Sequence, residues 1–410
     1  MQLHLFLRIV YLYRMKIFQL PTLSIGIAGL LTVILLTQCQ SDPSSAEEQL
    51  PETTADIPVT DSDYPDDNYK WGFIDLEGNL VIRGTFDETR GFSEGLALIR
   101  EENEWGYIDK DGNTVIDPQF KSAWSFENGH AKVMDFKDEL GIIDLKGNFI
   151  IEPGYIELSV FSEELLAFKK DSLFGYMDDR GTVVIKPQYE RAWNFRDGVA
   201  KVQQDHIIGF IDKKGNKIFQ SKYDRLGEFS EGMLKAKWDD KYGYLDKNGK
   251  PVINNKFDNA SDFKEGVAIV GVGENYGLID KQGNYLVKPS YPTIYYAGES
   301  RWGVTRDGRF GLVDRNGKAI TPMIYEQLYN FQEGRAIYQR DELWGYLDAS
   351  GEEITPPQFG LAWSFQSGLA RVGFRNGIGF IDSSGNPVIL PAYPDVRDFH
   401  EGLATVMMGR

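Results

Sequence analysis

The sequence predicts an all-β protein made of ten tandem repeats of about 34 residues. Its apolar stretches are four to seven residues long, rich in aromatic and β-branched side chains, and bounded by Gly, Asn, Asp or Pro, which is typical of strands. No helix fits between Gly and Pro residues this close together. The repeats fill residues 70–410. One glycine recurs with spacings of 34 and a single 35, at Gly72, Gly106, Gly141, Gly175, Gly209, Gly243, Gly277, Gly311, Gly345 and Gly379.

An Asp-x-x-Gly segment follows each of these glycines. The aspartate lies three residues after the first glycine and a second glycine six residues after it. We interpret the segment as a hairpin turn, because an aspartate carboxylate accepts hydrogen bonds from turn amides and glycine adopts a positive φ without strain. The ten aspartates are Asp75, Asp109, Asp144, Asp178, Asp212, Asp246, Asp280, Asp314, Asp348 and Asp382.

Other positions recur almost as regularly. The residue before each first glycine is large and apolar, which predicts a column of ten core side chains, and the glycine predicts a close backbone approach or a β-bulge. Twenty residues after the glycine, nine repeats have Phe, and at twenty-three, eight have Gly. The exceptions fall in the third repeat, with Glu164, and in the seventh, with Ala297 and Ser300.

This pattern resembles the WG-repeat (KWG) family of bacterial proteins, whose repeats carry a Trp-Gly pair followed by an aromatic-aliphatic-Asp run. The literal pair stands in register at Trp71-Gly72, Trp105-Gly106 and Trp344-Gly345. The resemblance covers the whole array. It implies a β-repeat module and assigns no chemistry to it.

The two ends of the array are complementary. The array opens with the strand Trp71 to Asp75, which lacks a preceding partner, and ends on Leu403 to Met408, which lacks a following one. These half-units could complete each other in a closed, propeller-like ring, which leaves no open edge. Ten units exceed the usual four to eight blades, so an open β superhelix, or solenoid, is the alternative.

The N-terminus has the pattern of a bacterial lipoprotein signal peptide over residues 1–38. An apolar run from Gly26 to Leu36 has the length of a signal-peptide core. The sequence Leu36-Thr37-Gln38-Cys39 resembles a lipobox, although Gln38 stands where that pattern prefers a small residue. We therefore expect lipidation at Cys39, the single cysteine. An uncleaved anchor helix is the alternative, and the start codon is either Met1 or Met15.

Residues 39–69 are predicted to form an acidic, disordered tether. Between Gln40 and Tyr69 the chain has nine acidic residues, no basic ones, and interspersed Ser, Thr and Pro. A segment of this composition buries no core and stays solvated. The array would thus be held at a distance from the membrane.

Charge and cysteine content exclude several classes of function. The formal net charge of −17 makes nucleic acid an unfavourable partner, because the surface repels phosphate backbones. One cysteine excludes a disulfide framework and any site with several thiolates.

No catalytic or metal-binding set stands out, and no cofactor is expected. His130, His206 and His400 occupy different positions within their repeats, so they do not form one column. The run Asp109 to Asn113 resembles a calcium loop, but no distal Glu follows at the required spacing, which favours a turn.

Three tryptophans lie eighteen residues after the repeat glycine, at Trp124, Trp193 and Trp363. Other repeats have Ser, Arg, Gly or Tyr at this position, so we expect it to be partly exposed. Exposed aromatic side chains stack on sugars or anchor protein partners, which makes these tryptophans candidate ligand contacts. Simple packing within the repeat is the alternative.

These observations predict a non-catalytic, lipid-anchored protein of the bacterial outer membrane, facing the periplasm or exposed at the cell surface. Its extended surface would bind a protein or a glycan. A structural spacer without a ligand is one alternative. An enzyme with its site in the irregular third or seventh repeat is another.

Overall fold

The computed structural model describes residues 69–223 and 225–409, in which 37 strands form ten antiparallel sheets. This part of the chain contains no helix, and hence none that could cross a bilayer. The predicted signal peptide, Cys39 and the tether up to residue 68 lie outside the described residues. The first strand begins at Tyr69, one residue before the predicted start of the array.

Each sheet is one blade. Blade 1 joins both ends of the array and contains β36 (Val396–His400), β37 (Leu403–Gly409), β1 (Tyr69–Ile74) and β2 (Leu80–Phe86). Blades 2 to 5 contain, in chain order, β3 (Glu88–Ser93), β4 (Leu96–Glu101), β5 (Glu104–Ile108) and β6 (Thr114–Phe120); β7 (Ser122–Ala123), β8 (His130–Met134), β9 (Leu140–Asp144) and β10 (Phe149–Tyr155); β11 (Leu165–Lys170), β12 (Leu173–Asp178) and β13 (Val183–Tyr189); β14 (Arg191–Ala192), β15 (Val199–Gln204), β16 (Ile207–Asp212) and β17 (Lys217–Gln220).

Blades 6 to 10 continue the same order. They contain β18 (Arg225–Ser230), β19 (Met233–Trp238), β20 (Lys241–Leu245) and β21 (Pro251–Phe257); β22 (Asn259–Ala260), β23 (Val267–Val272), β24 (Asn275–Asp280) and β25 (Tyr285–Tyr291); β26 (Ile294–Gly298), β27 (Arg301–Arg306) and β28 (Arg309–Asp314); β29 (Gln327–Leu328), β30 (Arg335–Arg340), β31 (Leu343–Asp348) and β32 (Glu353–Phe359); β33 (Leu369–Phe374), β34 (Gly377–Asp382) and β35 (Pro387–Ile389).

Each sequence repeat straddles two blades. It supplies the third and fourth strands of one blade, and then the first and second strands of the next. We call the first β segment of each blade, such as residues 121–126 in blade 3, its inner segment. The turns that follow the inner segments are hydrogen-bonded from blade to blade, as in the contact between Glu94 and Gly129. Because radiating blades approach each other most closely at the axis, the inner segments lie nearest to it.

The ring is closed by the two ends of the array. Strand β37 pairs with β1 in an antiparallel ladder that runs from Tyr69 opposite Gly409 to Ile74 opposite Ala404. The ten repeats therefore form a ten-bladed β-propeller, and the open superhelix is wrong. Closure removes the two sheet edges that an open array would leave unpaired.

The Asp-x-x-Gly segments are hairpin turns, as predicted. In blade 2, Asp109 Oδ1 accepts hydrogen bonds from the amides of Asp111 at 3.0 Å and Asn113 at 2.8 Å, and Gly112 has a φ of +84°. The hydrogen bond from the Asn113 side chain, together with these amides, lowers the pKa of Asp109 below its ordinary value. All ten repeats share these two amide bonds and the positive φ.

The first glycine of the repeat shows both the close approach and the bulge. A Cβ atom at Gly106 would lie 2.6 Å from the carbonyl oxygen of Ile116, so no other residue fits without a shift of the backbone. Strand pairing jumps across this point, because Trp105 faces Phe120 while Tyr107 faces Ile116. The fourth strand therefore bulges opposite the glycine.

The predicted core column lies at the wrong position of the repeat. The residue before the glycine is fully buried only in Trp71, Trp105 and Leu140, and is half-buried in the other seven repeats. The residues before and after the glycine are two apart, so their side chains lie on the same face of the strand. The residue after the glycine is nearer the middle of the strand, where neighbouring blades cover its side chain. The buried column is Phe73, Tyr107, Ile142, Tyr176, Phe210, Tyr244, Leu278, Leu312, Tyr346 and Phe380.

This column joins successive blades through the recurrent phenylalanine. The ring of Phe229 on blade 6 meets Phe210 on blade 5 edge-on, with centroids 5.2 Å apart. The rings of Tyr107 and Phe126 are tilted against each other with centroids 4.9 Å apart, and the Tyr107 hydroxyl donates a 2.9 Å hydrogen bond to the carbonyl of Trp124. The phenylalanine thus recurs because it fills the space between two blades.

We predict that Phe229→Ala lowers the free energy of unfolding by about 3–5 kcal/mol, as expected for truncation of a buried phenylalanine. Trp193→Ala should cost markedly less, because that side chain is only half-buried. Chemical denaturation of both variants makes the comparison, and equal losses would contradict the assigned core.

We predict that deleting residues 403–410 destabilises both ends of the array, because β1 loses the strand that pairs with it. Hydrogen exchange should then accelerate across residues 70–86, more than 300 residues from the cut. Unchanged protection there would show that the ring is not closed in solution.

Candidate binding surface

A belt of carboxylates surrounds the axis at the first hairpin turn of each blade, which is the turn that follows the inner segment. Glu231 Oε2 accepts a 2.9 Å hydrogen bond from the amide of Gly266 on the next blade, and Glu401 accepts from the amides of Glu94 at 2.7 Å and Gly95 at 3.0 Å. We call this set the carboxylate belt; its members are Glu94, Glu163, Asp197, Glu231, Glu265, Glu299, Glu333 and Glu401.

The belt binds the blades to one another. Burial raises the pKa of Glu231, but its hydrogen bonds from Lys281 and from the Gly266 amide outweigh that effect and leave the pKa below its ordinary value. The described residues hold no group of three or more His, Cys, Asp or Glu side chains arranged to bind a metal ion. The hydrogen bonds show that the acidic side chains at these turns act as acceptors for groups on the next blade.

The irregular third and seventh repeats keep the same turn. Glu163 and Glu164 have φ values of 50° and 71°, and Glu299 and Ser300 have 50° and 59°. Both central residues thus have the positive φ that a type I′ hairpin turn requires, with a side chain where the other repeats have glycine. At the seventh repeat the Ser300 hydroxyl donates to Glu265 of the belt.

The three candidate tryptophans lie at equivalent points of the inner segments of blades 3, 5 and 10. Each is half-buried, and each has a cation over its ring from the second strand of the same blade. Lys132 lies 4.6 Å from the centroid of Trp124, Lys201 4.7 Å from Trp193, and Arg371 4.6 Å from Trp363.

Two of these cations also form ion pairs with the following blade. Lys201 Nζ lies 2.5 Å from Glu228 Oε1, and Arg371 Nε lies 2.5 Å from Asp398 Oδ1. Trp193 and Trp363 are therefore parts of inter-blade contacts as well as half-exposed surfaces. Sequence reasoning missed the cations, although one stands eight residues after every candidate tryptophan.

Trp193 also forms part of a groove between blades 5 and 6. The groove has a volume of about 430 Å³. Trp193 and Tyr223 provide aromatic walls, and exposed Arg191 and His206 lie at its rim. Its other lining residues are Lys201, Gln203, Ile207, Ile208, Ser221 and Leu226.

The groove exists because the fourth strand of blade 5 is short. Strand β17 ends at Gln220, and Tyr223 does not pair with Ile208, whereas the equivalent Phe120 pairs with Trp105 in blade 2. A Cβ atom at Gly209 would lie 3.4 Å from the nearest carbonyl, so the tight bulge of the other blades is missing. The segment that leaves the sheet opens the space beside Trp193.

The stretch of chain that contains most of the groove residues is rich in basic residues, although the whole protein is acidic. The guanidinium of Arg191 has no hydrogen-bonding or ionic partner among the described residues. The main-chain amide of His206 donates a 3.2 Å hydrogen bond to the Glu190 carboxylate. Between residues 186 and 225 the chain has nine basic residues and five acidic ones. The basic residues are Lys186, Arg191, Arg196, Lys201, Lys213, Lys214, Lys217, Lys222 and Arg225.

The three histidines of the array are far apart, as their positions in the repeats predict. His130 packs against Phe161 with ring centroids 4.7 Å apart, and His400 lies against Gly91. His206 is at the rim of the groove on blade 5. They therefore do not form one site.

Several solved structures resemble this chain at very low sequence identity. A crystal structure of a eukaryotic initiation factor has 9% identity and a TM-score of 0.45, covering 70% of this chain and 95% of its own. The computationally designed Ika8 protein has 12% identity and a TM-score of 0.33, with coverages of 71% and 94%. Hsv2p of Kluyveromyces lactis has 10% identity and a TM-score of 0.33, with coverages of 54% and 89%.

Comparison with curated protein sequences gives no match. The sequence model of a family described as "WG containing repeat" matches ten successive segments, at residues 71–105, 105–135, 141–173, 174–205, 208–242, 242–276, 276–300, 310–344, 344–376 and 378–410. These segments coincide with the ten repeats of the propeller. The chain therefore belongs to the WG-repeat family.

Proposed function

We propose that this protein is a non-catalytic, lipid-anchored binding protein of the bacterial envelope, and that its ligand is a glycan. The observation that carries the proposal is the groove beside Trp193, whose lining combines two aromatic side chains, Trp193 and Tyr223, with hydrogen-bond donors. Sugar rings present C–H faces that pack on indole and phenol rings, and hydroxyl groups that accept hydrogen bonds.

The groove has the donors that such a ligand needs. Arg191 offers a guanidinium without a partner among the described residues, and Gln203 and Ser221 add an amide and a hydroxyl to the lining. Lys201 holds the ring of Trp193 from one side, so the indole is pre-positioned. A pre-positioned aromatic wall loses little conformational entropy when a ligand binds.

The anchor and the groove are compatible with one another. Tyr69 pairs with Gly409 at the same end of the blades as the turn that carries His206. By random-coil scaling, a flexible chain of about 30 residues spans roughly 30 Å, and an acidic one spans more because like charges repel. A polymer at the outer membrane thus lies within reach of the groove.

The glycan prediction is tested by retention of the full chain on polysaccharide from the bacterial envelope. We expect Trp193→Ala to weaken retention about tenfold, since one stacked ring contributes roughly 1–1.5 kcal/mol. The matched control is Trp363→Ala, which removes a tryptophan with the same cation contact but outside the groove. Equal losses of retention in the two variants would overturn the proposal. So would binding of an envelope protein, instead of polysaccharide, by the wild-type chain.

The anchor prediction concerns Cys39. We expect the wild-type chain to incorporate a fatty-acid probe during growth and to fractionate with membranes, because the lipobox-like sequence precedes its only cysteine. Cys39→Ser should take up no probe and either leave the membrane fraction or remain unprocessed. Absence of label in the wild type would contradict lipidation.

A further inference from the structure

Ring closure places two arginines from opposite ends of the array side by side. Arg397 stands in the inner segment of blade 1 and Arg90 in that of blade 2, each eighteen residues after its repeat glycine. Arg397 donates a 2.8 Å hydrogen bond from Nη1 to the carbonyl of Thr89, the residue before Arg90. This contact spans 308 residues of sequence, so it depends on the closed ring.

Each guanidinium rests on a tryptophan of a Trp-Gly pair. Arg397 lies 4.2 Å from the ring centroid of Trp71, and Arg90 lies 5.6 Å from that of Trp105. A cation over an aromatic face is held in position while its N–H groups remain free to donate. The two tryptophans thus support the arginines without neutralising them.

Neither arginine has an ionic partner within the described residues. Arg90 donates no hydrogen bond, and none of its guanidinium nitrogens is completely buried. The neighbouring acids Glu88 and Asp398 are engaged elsewhere, with Arg100 and Arg371. The remaining acid close by is Asp395. Its carboxylate accepts a hydrogen bond from the amide of Val396 and lies beyond ion-pair distance of Arg397.

Three other cations near the inner segments form ion pairs with the following blade. Lys201 meets Glu228 at 2.5 Å, Lys235 meets Asp262 at 3.7 Å, and Arg371 meets Asp398 at 2.5 Å. Among the described residues, no carboxylate lies within ion-pair distance of the adjacent positive charges of Arg90 and Arg397, although the chain has a net charge of −17. Burial and the nearby positive charges lower the pKa of Arg397, although Asp395 and Glu88 oppose this, so an incoming anion would relieve an unfavourable environment.

The arginines are flanked by two of the candidate tryptophans. Going round the ring, the equivalent residue of the inner segment is Trp363 on blade 10, Arg397 on blade 1, Arg90 on blade 2 and Trp124 on blade 3. We propose that Arg90 and Arg397 bind an oxyanion, a carboxylate, sulfate or phosphate group, between their guanidinium groups. Guanidinium groups bind such oxygens through charge-assisted hydrogen bonds, often two at a time. The site is separate from the groove on blade 5 and does not depend on its ligand.

The test is titration of the full chain, purified in a non-ionic detergent, with dextran sulfate and with neutral dextran. We expect binding of dextran sulfate alone, and a fall in affinity of about tenfold or more in Arg90→Gln, since a hydrogen bond to a charged group contributes roughly 1.5–3 kcal/mol. Arg90 is the first choice for substitution because its side chain donates no hydrogen bond within the described fold. Arg90→Lys keeps the charge and loses the planar guanidinium that donates two hydrogen bonds at once. This variant should bind dextran sulfate with intermediate affinity.

Two controls locate the effect. Arg315→Gln removes the same charge from an exposed turn of blade 8 and should leave the affinity unchanged. Trp193→Ala should also leave it unchanged, which separates this site from the proposed glycan groove. Competition by inorganic sulfate at millimolar concentration would identify a small-anion site, and its failure to compete would identify a polymer site. No binding of dextran sulfate by the wild type, or equal losses in Arg90→Gln and Arg315→Gln, would overturn the proposal.

Discussion

The pairing of β37 with β1 is the interaction on which the rest of the structure depends. Because every repeat supplies half of one blade and half of the next, the first and last repeats each leave a half-blade. The ladder between Tyr69–Ile74 and residues 404–409 makes one blade from these halves. In the closed ring each of the ten blades has two neighbouring blades. The edges of β1 and β37, which an open array would leave unpaired, are hydrogen-bonded to each other.

Two kinds of contact hold neighbouring blades at a constant spacing. Near the middle of the blade, aromatic pairs such as Tyr176 and Phe195, 4.9 Å apart, exclude water. At the first hairpin turn, the carboxylate belt supplies directional hydrogen bonds to backbone amides. The belt is interrupted at two junctions. Between blades 10 and 1, Ser367 replaces the acid. Between blades 3 and 4, Asn128 replaces the acid and Glu164 replaces the turn glycine, so at that junction the acceptor and the donor turn change together.

The sequence was sufficient for the features that depend on local conformation. Spacing predicted ten units, and the Asp-x-x-Gly pattern predicted a hairpin, because a positive φ and an Asx-type cap restrict the residues that fit. It was not sufficient for contacts between repeats. The order of strands across repeat boundaries, the buried side chain at Tyr107 rather than Trp105, and the choice between ring and open array all depend on which blade lies next to which. The groove was missed because it arises where strand β17 ends early, and only the Ser221 that replaces a common proline signals this in the sequence.

Function in such a ring is best sought where the repeats differ, since the positions that build the blades are shared by nearly all ten. The position eighteen residues after the repeat glycine is one that differs between repeats, with Trp, Tyr, Arg, Ser or Gly, and it lies on the inner segments. Closure converts its linear order into an arc. Six successive blades carry large aromatic or arginine side chains, and the remaining four carry three small residues and Trp193. From blade 8 through blade 10 and on to blade 7, the residues are Tyr295, Tyr329, Trp363, Arg397, Arg90, Trp124, Ser159, Trp193, Gly227 and Ser261. A backbone with near tenfold symmetry thus presents a chemically one-sided inner wall, and the side with the large residues is the one that only the joining of the two chain ends creates.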